Sequence, residues 1–85
     1  MACLIECEIL YFAQAREAAG AARESVSLPC GKTLADLESL LRDRHPALAP
    51  LLPACAFAVD EVYRPRGFVL ERASRVAVIP PVSGG

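Results

Sequence analysis

No stretch of this sequence approaches the ~20 consecutive apolar residues that a membrane-spanning helix needs. Charge of one sign is also missing. Nine basic and ten acidic residues are interspersed, for a net charge of −1. Such a surface has no electrostatic footprint for nucleic acid or anionic lipid, so neither a nucleic acid nor a membrane is expected as a partner. The opening "MACLIECEIL" has no basic segment and carries Glu6 and Glu8, so it does not read as a secretory signal. The expected setting is the cytosol. There is no Cys-x-x-Cys pair for zinc, no repeat and no low-complexity tract. His45 is the only histidine, and no pattern pairs it with a nucleophile.

What is present fits one small domain. The chain has 85 residues, and 54% of them are hydrophobic. That apolar share exceeds what an ordinary small soluble chain carries and points to a surface that docks onto another protein. Of the four cysteines, Cys3 and Cys7 lie about 13 Å apart along an apparent strand, too far to bridge. All four are expected to be small, reduced, buried side chains.

Hydrophobic periodicity sets out the elements. In "CLIECEILY", Cys3, Ile5, Cys7, Ile9 and Tyr11 share one face of a strand. "FAQAREAAG" reads as a short helix stopped by Gly20, in which Arg16 and Glu17 can make a local ion pair. "ESVSLP" is a second strand. Thr33 and Asp36 form a capping-box pattern at the start of the main helix. Leu34, Leu37, Leu40 and Leu41 make its apolar stripe, Arg42 and Arg44 suit its C-terminal dipole, and Pro46 stops it. "ALAPLLP" reads as an irregular turn or short helical piece. "CAFAVDEVYR" reads as a third strand, "FVL" as a short fourth and "RVAVIP" as the last, with Ile79 on its outer side. One amphipathic helix over one mixed sheet is an α+β two-layer design, and the order of elements fits a β-grasp over residues 1–81.

Few residues in this body invite chemistry. "GKT" at 31–33 resembles the end of a phosphate-binding loop, but the glycine that pattern needs is replaced by Val26; a turn and a helix cap account for it. His45 suits a cap or surface position at a helix C-terminus. No metal site is expected. The remaining signal is the terminal segment 82–85 with the prolines before it. Pro80 and Pro81 hold an extended path. Gly84 and Gly85 fit where only a backbone passes, and leave the final carboxylate open to attack.

"LYFAQAREAAG" and "VAVIPPVSGG" together resemble the small, sulfur-carrier subunit family of molybdopterin synthase. The matching positions are Phe12, Ala13, Arg16, Glu17, Gly20 and Pro80 through Gly85; "RHPAL" and "FAVDEVY" extend the likeness through the middle. The resemblance implies a ubiquitin-like β-grasp fold with a C-terminal tail. It implies that an E1-like enzyme, using ATP and Mg²⁺, adenylates the Gly85 carboxylate, and that sulfur then replaces AMP to leave a thiocarboxylate. No cofactor is bound by the carrier itself. The large synthase subunit would take Pro80, Pro81, Val82, Ser83 and Gly84 into its active site, where sulfur passes to cyclic pyranopterin monophosphate in a 2:2 heterotetramer. The carrier is then a non-catalytic subunit of a sulfurtransferase. Ile79, Tyr63, Val62 and Arg16 are the candidate partner-facing residues.

One departure stands out. The family's acidic, glycine-containing turn before the last strand is replaced by Glu71-Arg72-Ala73-Ser74-Arg75. Other readings predict different behaviour. A carrier for thiamin or tRNA thiolation shares the activation chemistry, a ubiquitin-like modifier would form isopeptide conjugates, and a non-covalent interaction module would tolerate loss of Gly85.

Overall fold

A computed structural model of the chain describes residues 3–81. Strand β1 (Leu4–Tyr11) leads into helix α1 (Ala13–Ala19), and β2 (Arg23–Pro29) returns antiparallel beside β1. A short β3 (Lys32–Thr33) precedes the main helix α2 (Leu34–Arg44). Two 3-10 turns, Pro46–Leu48 and Leu52–Ala54, carry the chain to β4 (Ala56–Val59) and β5 (Val62–Arg64). After β6 (Val69–Leu70), β7 (Arg75–Ile79) runs through the middle of the sheet. The sheet order is β2-β1-β7-β4-β5, with β1 and β7 parallel and every other neighbour antiparallel. This is the expected β-grasp.

The α2 cap forms as the sequence indicates. The Thr33 hydroxyl accepts the Asp36 N–H at 3.2 Å, while Asp36 Oδ2 accepts the Thr33 N–H at 3.0 Å. Those bonds satisfy helix-end donors that would otherwise lack partners. At the other end His45 closes the helix by donating its backbone N–H to the Leu41 carbonyl. Leu34, Leu37 and Leu41 are fully buried against Ile5, Cys7, Ile9, Phe57, Val76 and Val78. Leu40, at the margin of the stripe, is half-buried.

Several expectations change. The single third strand is a hairpin: β4 and β5 flank Asp60 and Glu61, both at positive φ (48° and 71°). Two consecutive left-handed residues give a turn whose twist matches that of the flanking strands. Asp60 anchors it, donating its N–H to the Arg75 carbonyl and accepting the Arg75 N–H on its carboxylate. "FVL" contributes only Val69–Leu70, which pair with β3 in a separate two-stranded sheet. Lys32 and Thr33 thus serve strand and cap. The anticipated Arg16–Glu17 pair is not among the four ion pairs of the described residues.

The cysteines also differ. Cys7 and Cys55 are buried free thiols, their pKa values pushed up by burial. Cys3 is exposed and bonded to Cys30 as a disulfide. The register Leu4↔Pro29 places the two opposite each other across β1 and β2. Spacing along one strand could exclude Cys3–Cys7 but could not reveal this cross-strand neighbour.

Candidate functional site

The site grows from the end of β7. Alternation buries Val76 and Val78 completely and turns Ala77 and Ile79 outward, both half-buried. Ile79 is therefore less open than its outer-face position implied, because it pairs with Ala56 on β4. β7 is held on both sides, by β1 from Glu8 to Tyr11 and by β4 from Ala56 to Val59. The Phe12 N–H adds a 3.4 Å bond to the Val78 carbonyl. Ladder pairing cannot continue past this point, because Pro80 and Pro81 have no N–H to donate. Pro80 is buried and Pro81 exposed. Phe12, Gln14, Glu17, Ile79, Pro80 and Pro81 line an open hollow at this exit. Val82, Ser83, Gly84 and Gly85 lie outside the described residues.

Beside the exit, register assembles an apolar row. Leu10 faces Ala77, Ala77 faces Ala58, and Ala58 faces Tyr63, so the row crosses β1, β7, β4 and β5 on the sheet face away from α2. Its middle is made of small residues, with Ala58 only 6% exposed, and Tyr63 at the edge is 67% exposed. Phe12, 47% exposed, adds an aromatic ring at the exit. One row further from the tail the same face becomes charged, with Glu8 opposite Arg75 and bridging it at 3.1 Å; Arg23, beside Leu10 at the β2 end of the apolar row, also reaches Glu8 at 3.3 Å. The face thus changes from ionic to apolar toward the point where the tail leaves.

The four candidate partner residues do not all converge. Ile79 and Tyr63 share the outer face. Val62 pairs with Val59 and so points to the opposite face. There it lines a different hollow with Phe68 and Val69, beside Arg64, whose guanidinium lies 4.7 Å from the Phe68 ring centroid. Arg16 is on α1, and the hollow at the tail exit is lined by Glu17 instead. Sequence reading did not pick Phe12 as a partner-facing residue. Its signal was an aromatic residue immediately after a strand whose alternation had already buried Tyr11.

A polar cluster lies behind the exit. Tyr11 Oη donates to Glu24 Oε1 at 2.7 Å, and His45 Nε2 lies 2.9 Å from the same oxygen. The Tyr11 and His45 rings meet edge-on at 5.9 Å. Burial and the Glu24 bond push the Tyr11 hydroxyl far above its ordinary pKa. Burial raises Glu24, but the bonds from Tyr11 and His45, with Arg44 nearby, more than offset it and hold its carboxyl below the usual range. These groups tie β1, β2 and the end of α2 together. His45 is therefore both the helix cap expected of it and a cross-link. Among the described residues, no cluster of three or more His, Cys, Asp or Glu side chains is arranged to hold a metal, and no helix is long and apolar enough to cross a membrane.

The segment from Glu71 to Arg75, which contains no glycine, is held by local hydrogen bonds. Ser74 Oγ donates to the Arg72 carbonyl, the Glu8 N–H reaches the Ser74 carbonyl, and Asp60 accepts the Arg75 N–H. Side-chain and strand-edge bonds hold the turn without glycine.

The family model described as ThiS family matches residues 9–85. The chain belongs to the ThiS family. Among its relatives, the molybdopterin synthase sulfur carrier subunit of Homo sapiens is 38% identical, over 96% of this chain and 97% of that protein. A Pyrococcus furiosus protein, provisionally assigned as molybdopterin converting factor subunit 1, superposes with a TM-score of 0.83 at 27% identity, covering 92% of this chain and 99% of that one. SAMP1 from Haloferax volcanii, a small archaeal modifier protein, reaches the same TM-score at 25% identity, over 94% and 99%. Proteins with two different named roles therefore share this fold.

Proposed function

We propose that this chain is the sulfur-carrier subunit of a molybdopterin synthase. The observation that carries the reading is the 38% identity to a carrier of that name along essentially the full length of both chains. The geometry is suited to the task. β7 is clamped between β1 and β4, so it delivers the tail from a fixed point, next to an apolar row.

A free carboxylate is a poor electrophile. An E1-like adenylyltransferase, using ATP and Mg²⁺, would convert the Gly85 carboxylate to an acyl-adenylate, and a sulfur nucleophile would displace AMP to leave the thiocarboxylate. The large synthase subunit would receive Pro80 to Gly85, and the thiocarboxylate would deliver sulfur to cyclic pyranopterin monophosphate. Holding the nucleophile on a tethered tail makes the transfer effectively intramolecular, an advantage of up to ~7–11 kcal/mol of barrier. Acid, base and phosphate-binding groups would come from the partners. The assembly would be a 2:2 heterotetramer in the cytosol.

Adding one residue after Gly85 tests the reading. The extended protein is expected to fold normally and to support no molybdopterin synthesis with the large subunit. Normal synthesis by that variant would contradict the carrier mechanism. The SAMP1 likeness favours one second reading, a protein modifier. It predicts high-molecular-weight conjugates that depend on Gly85, which the carrier reading does not.

A further inference from the structure

We propose that Cys3 and Cys30 form a thiol–disulfide exchange site that locks the β1–β2 corner and is physically separate from the sulfur-bearing tail. The four cysteines divide into two chemical classes. Cys7 and Cys55 are fully enclosed, with thiol pKa values raised by burial. Cys3 is exposed and Cys30 half-buried, so an external thiolate reaches this pair and not the other two. The bond closes a loop with a sequence separation of 27 residues, across a Cα–Cα distance of 5.5 Å that suits a disulfide.

The location determines what the bond can affect. Cys30 is followed by Gly31, whose N–H reaches the Leu70 carbonyl at 2.8 Å, and then by the β3 residues that pair with β6 and cap α2. Opening the disulfide therefore loosens the corner where the small sheet and the main helix begin. The Cys30 N–H still bonds the Cys3 carbonyl at 2.8 Å, so the strands stay paired when the sulfurs part. The tail leaves from the other end of the sheet. β1 first meets β7 at Glu8 and reaches Val78 at Tyr11, which puts Cys3 roughly 26 Å along β1 from the exit.

The reactant is a dithiol reductant or a low-molecular-weight thiol. Its thiolate attacks the Cys3 sulfur and forms a mixed disulfide. The Cys3–Cys30 bond breaks, and Cys30 leaves with the electron pair and takes a proton. A second thiolate of the reductant then releases Cys3 and departs as the oxidised disulfide, so two electrons pass to the protein. The reverse reaction needs a disulfide of the same class as oxidant.

The test uses the full chain. Native protein prepared with a small-molecule disulfide is alkylated before and after treatment with a dithiol, then mapped by mass. Labelling of Cys3 and Cys30 only after reduction, with Cys7 and Cys55 protected until denaturation, is expected. Reduction should also lower Tm by roughly 10 °C, and C3S/C30S should lie at the reduced value whatever the redox state. Cys7 or Cys55 reacting as readily as Cys3, no redox-dependent labelling, or a Tm indifferent to reduction would each overturn the lock. Sulfur loading at Gly85 should be equal in wild type and C3S/C30S, and a selective loss in the variant would overturn the separation. That last comparison rests on the proposed function. If neither protein loads, that reading fails while the labelling result still decides the disulfide.

Discussion

Tyr63 lies directly opposite Ala58 across the β4–β5 pair. Ala58 is nearly buried and too small to cover the neighbouring ring, which leaves Tyr63 67% exposed at the sheet edge. An amphipathic aromatic beside small residues is a common form of docking anchor. Tyr63→Ala is expected to weaken binding to the large subunit by about 2 kcal/mol, close to 30-fold, without changing Tm. Val62 makes the contrast, because it sits on the same strand but faces the other way. Val62→Ala should change affinity by less than about 0.5 kcal/mol. Calorimetric titration of both variants checks the face assignment, and equal losses would refute it.

The Asp60–Glu61 turn holds two non-glycine residues at positive φ. An L side chain there costs on the order of 1 kcal/mol that glycine does not pay. Glu61→Gly should therefore raise unfolding stability by about 1 kcal/mol, read as a higher denaturant midpoint at unchanged m-value. A lower midpoint would mean that the Glu61 side chain contributes more than its backbone loses.

Arg66 fastens the loop before β4. Its guanidinium donates to the Leu52 carbonyl at 2.7 Å, the Cys55 carbonyl at 2.9 Å and Glu38 at 2.8 Å, and it lies 4.9 Å from the Phe57 ring centroid. A lysine cannot reproduce that planar fork. Arg66→Lys should cost about 1–2 kcal/mol and Arg66→Ala about 2–3, because partly enclosed acceptors lose their donors. Chemical denaturation measures both, and a neutral Arg66→Lys would show that charge alone suffices.

Glu24 sets an acid limit. Its folded-state pKa lies below the ordinary value, since the bonds from Tyr11 and His45 outweigh burial. A depressed carboxylate pKa contributes stability above the unfolded-state pKa of ~4.3, and the contribution is lost as pH falls through the folded value. Stability should therefore fall as pH drops below about 4.5. Glu24→Gln should be less stable at pH 7 and show a shallower acid decline. Parallel slopes for the two proteins would remove Glu24 from the account.

Local patterns were legible where one element explained itself. Alternation from Ile5 to Tyr11 marked β1, the Thr33–Asp36 box opened α2, and Leu34, Leu37 and Leu41 marked its buried face. What escaped depended on which strand lay beside which. The Cys3–Cys30 bond and the outer row from Leu10 to Tyr63 both follow from register. Periodicity within a single segment does not contain that information. The hairpin at Asp60 was hidden because Asp60 is followed by Glu61 and not by the glycine that marks such a two-residue turn. Arg66 was missed because two of its acceptors are backbone carbonyls, which sequence does not mark, and the third, Glu38, lies 28 residues away. At the tail, Gly84 and Gly85 stood out through the motif and its likeness to a known family, whereas geometry adds the fixed exit at Ile79 and Pro80.

The most direct measurement is the intact mass of the protein after incubation with an E1-like activating enzyme, ATP, Mg²⁺ and a sulfur donor. A gain equal to one oxygen replaced by sulfur, localised to Gly85 by fragmentation and absent when ATP is omitted, is expected. An unchanged mass with an activator shown to be active on another carrier would contradict the carrier function.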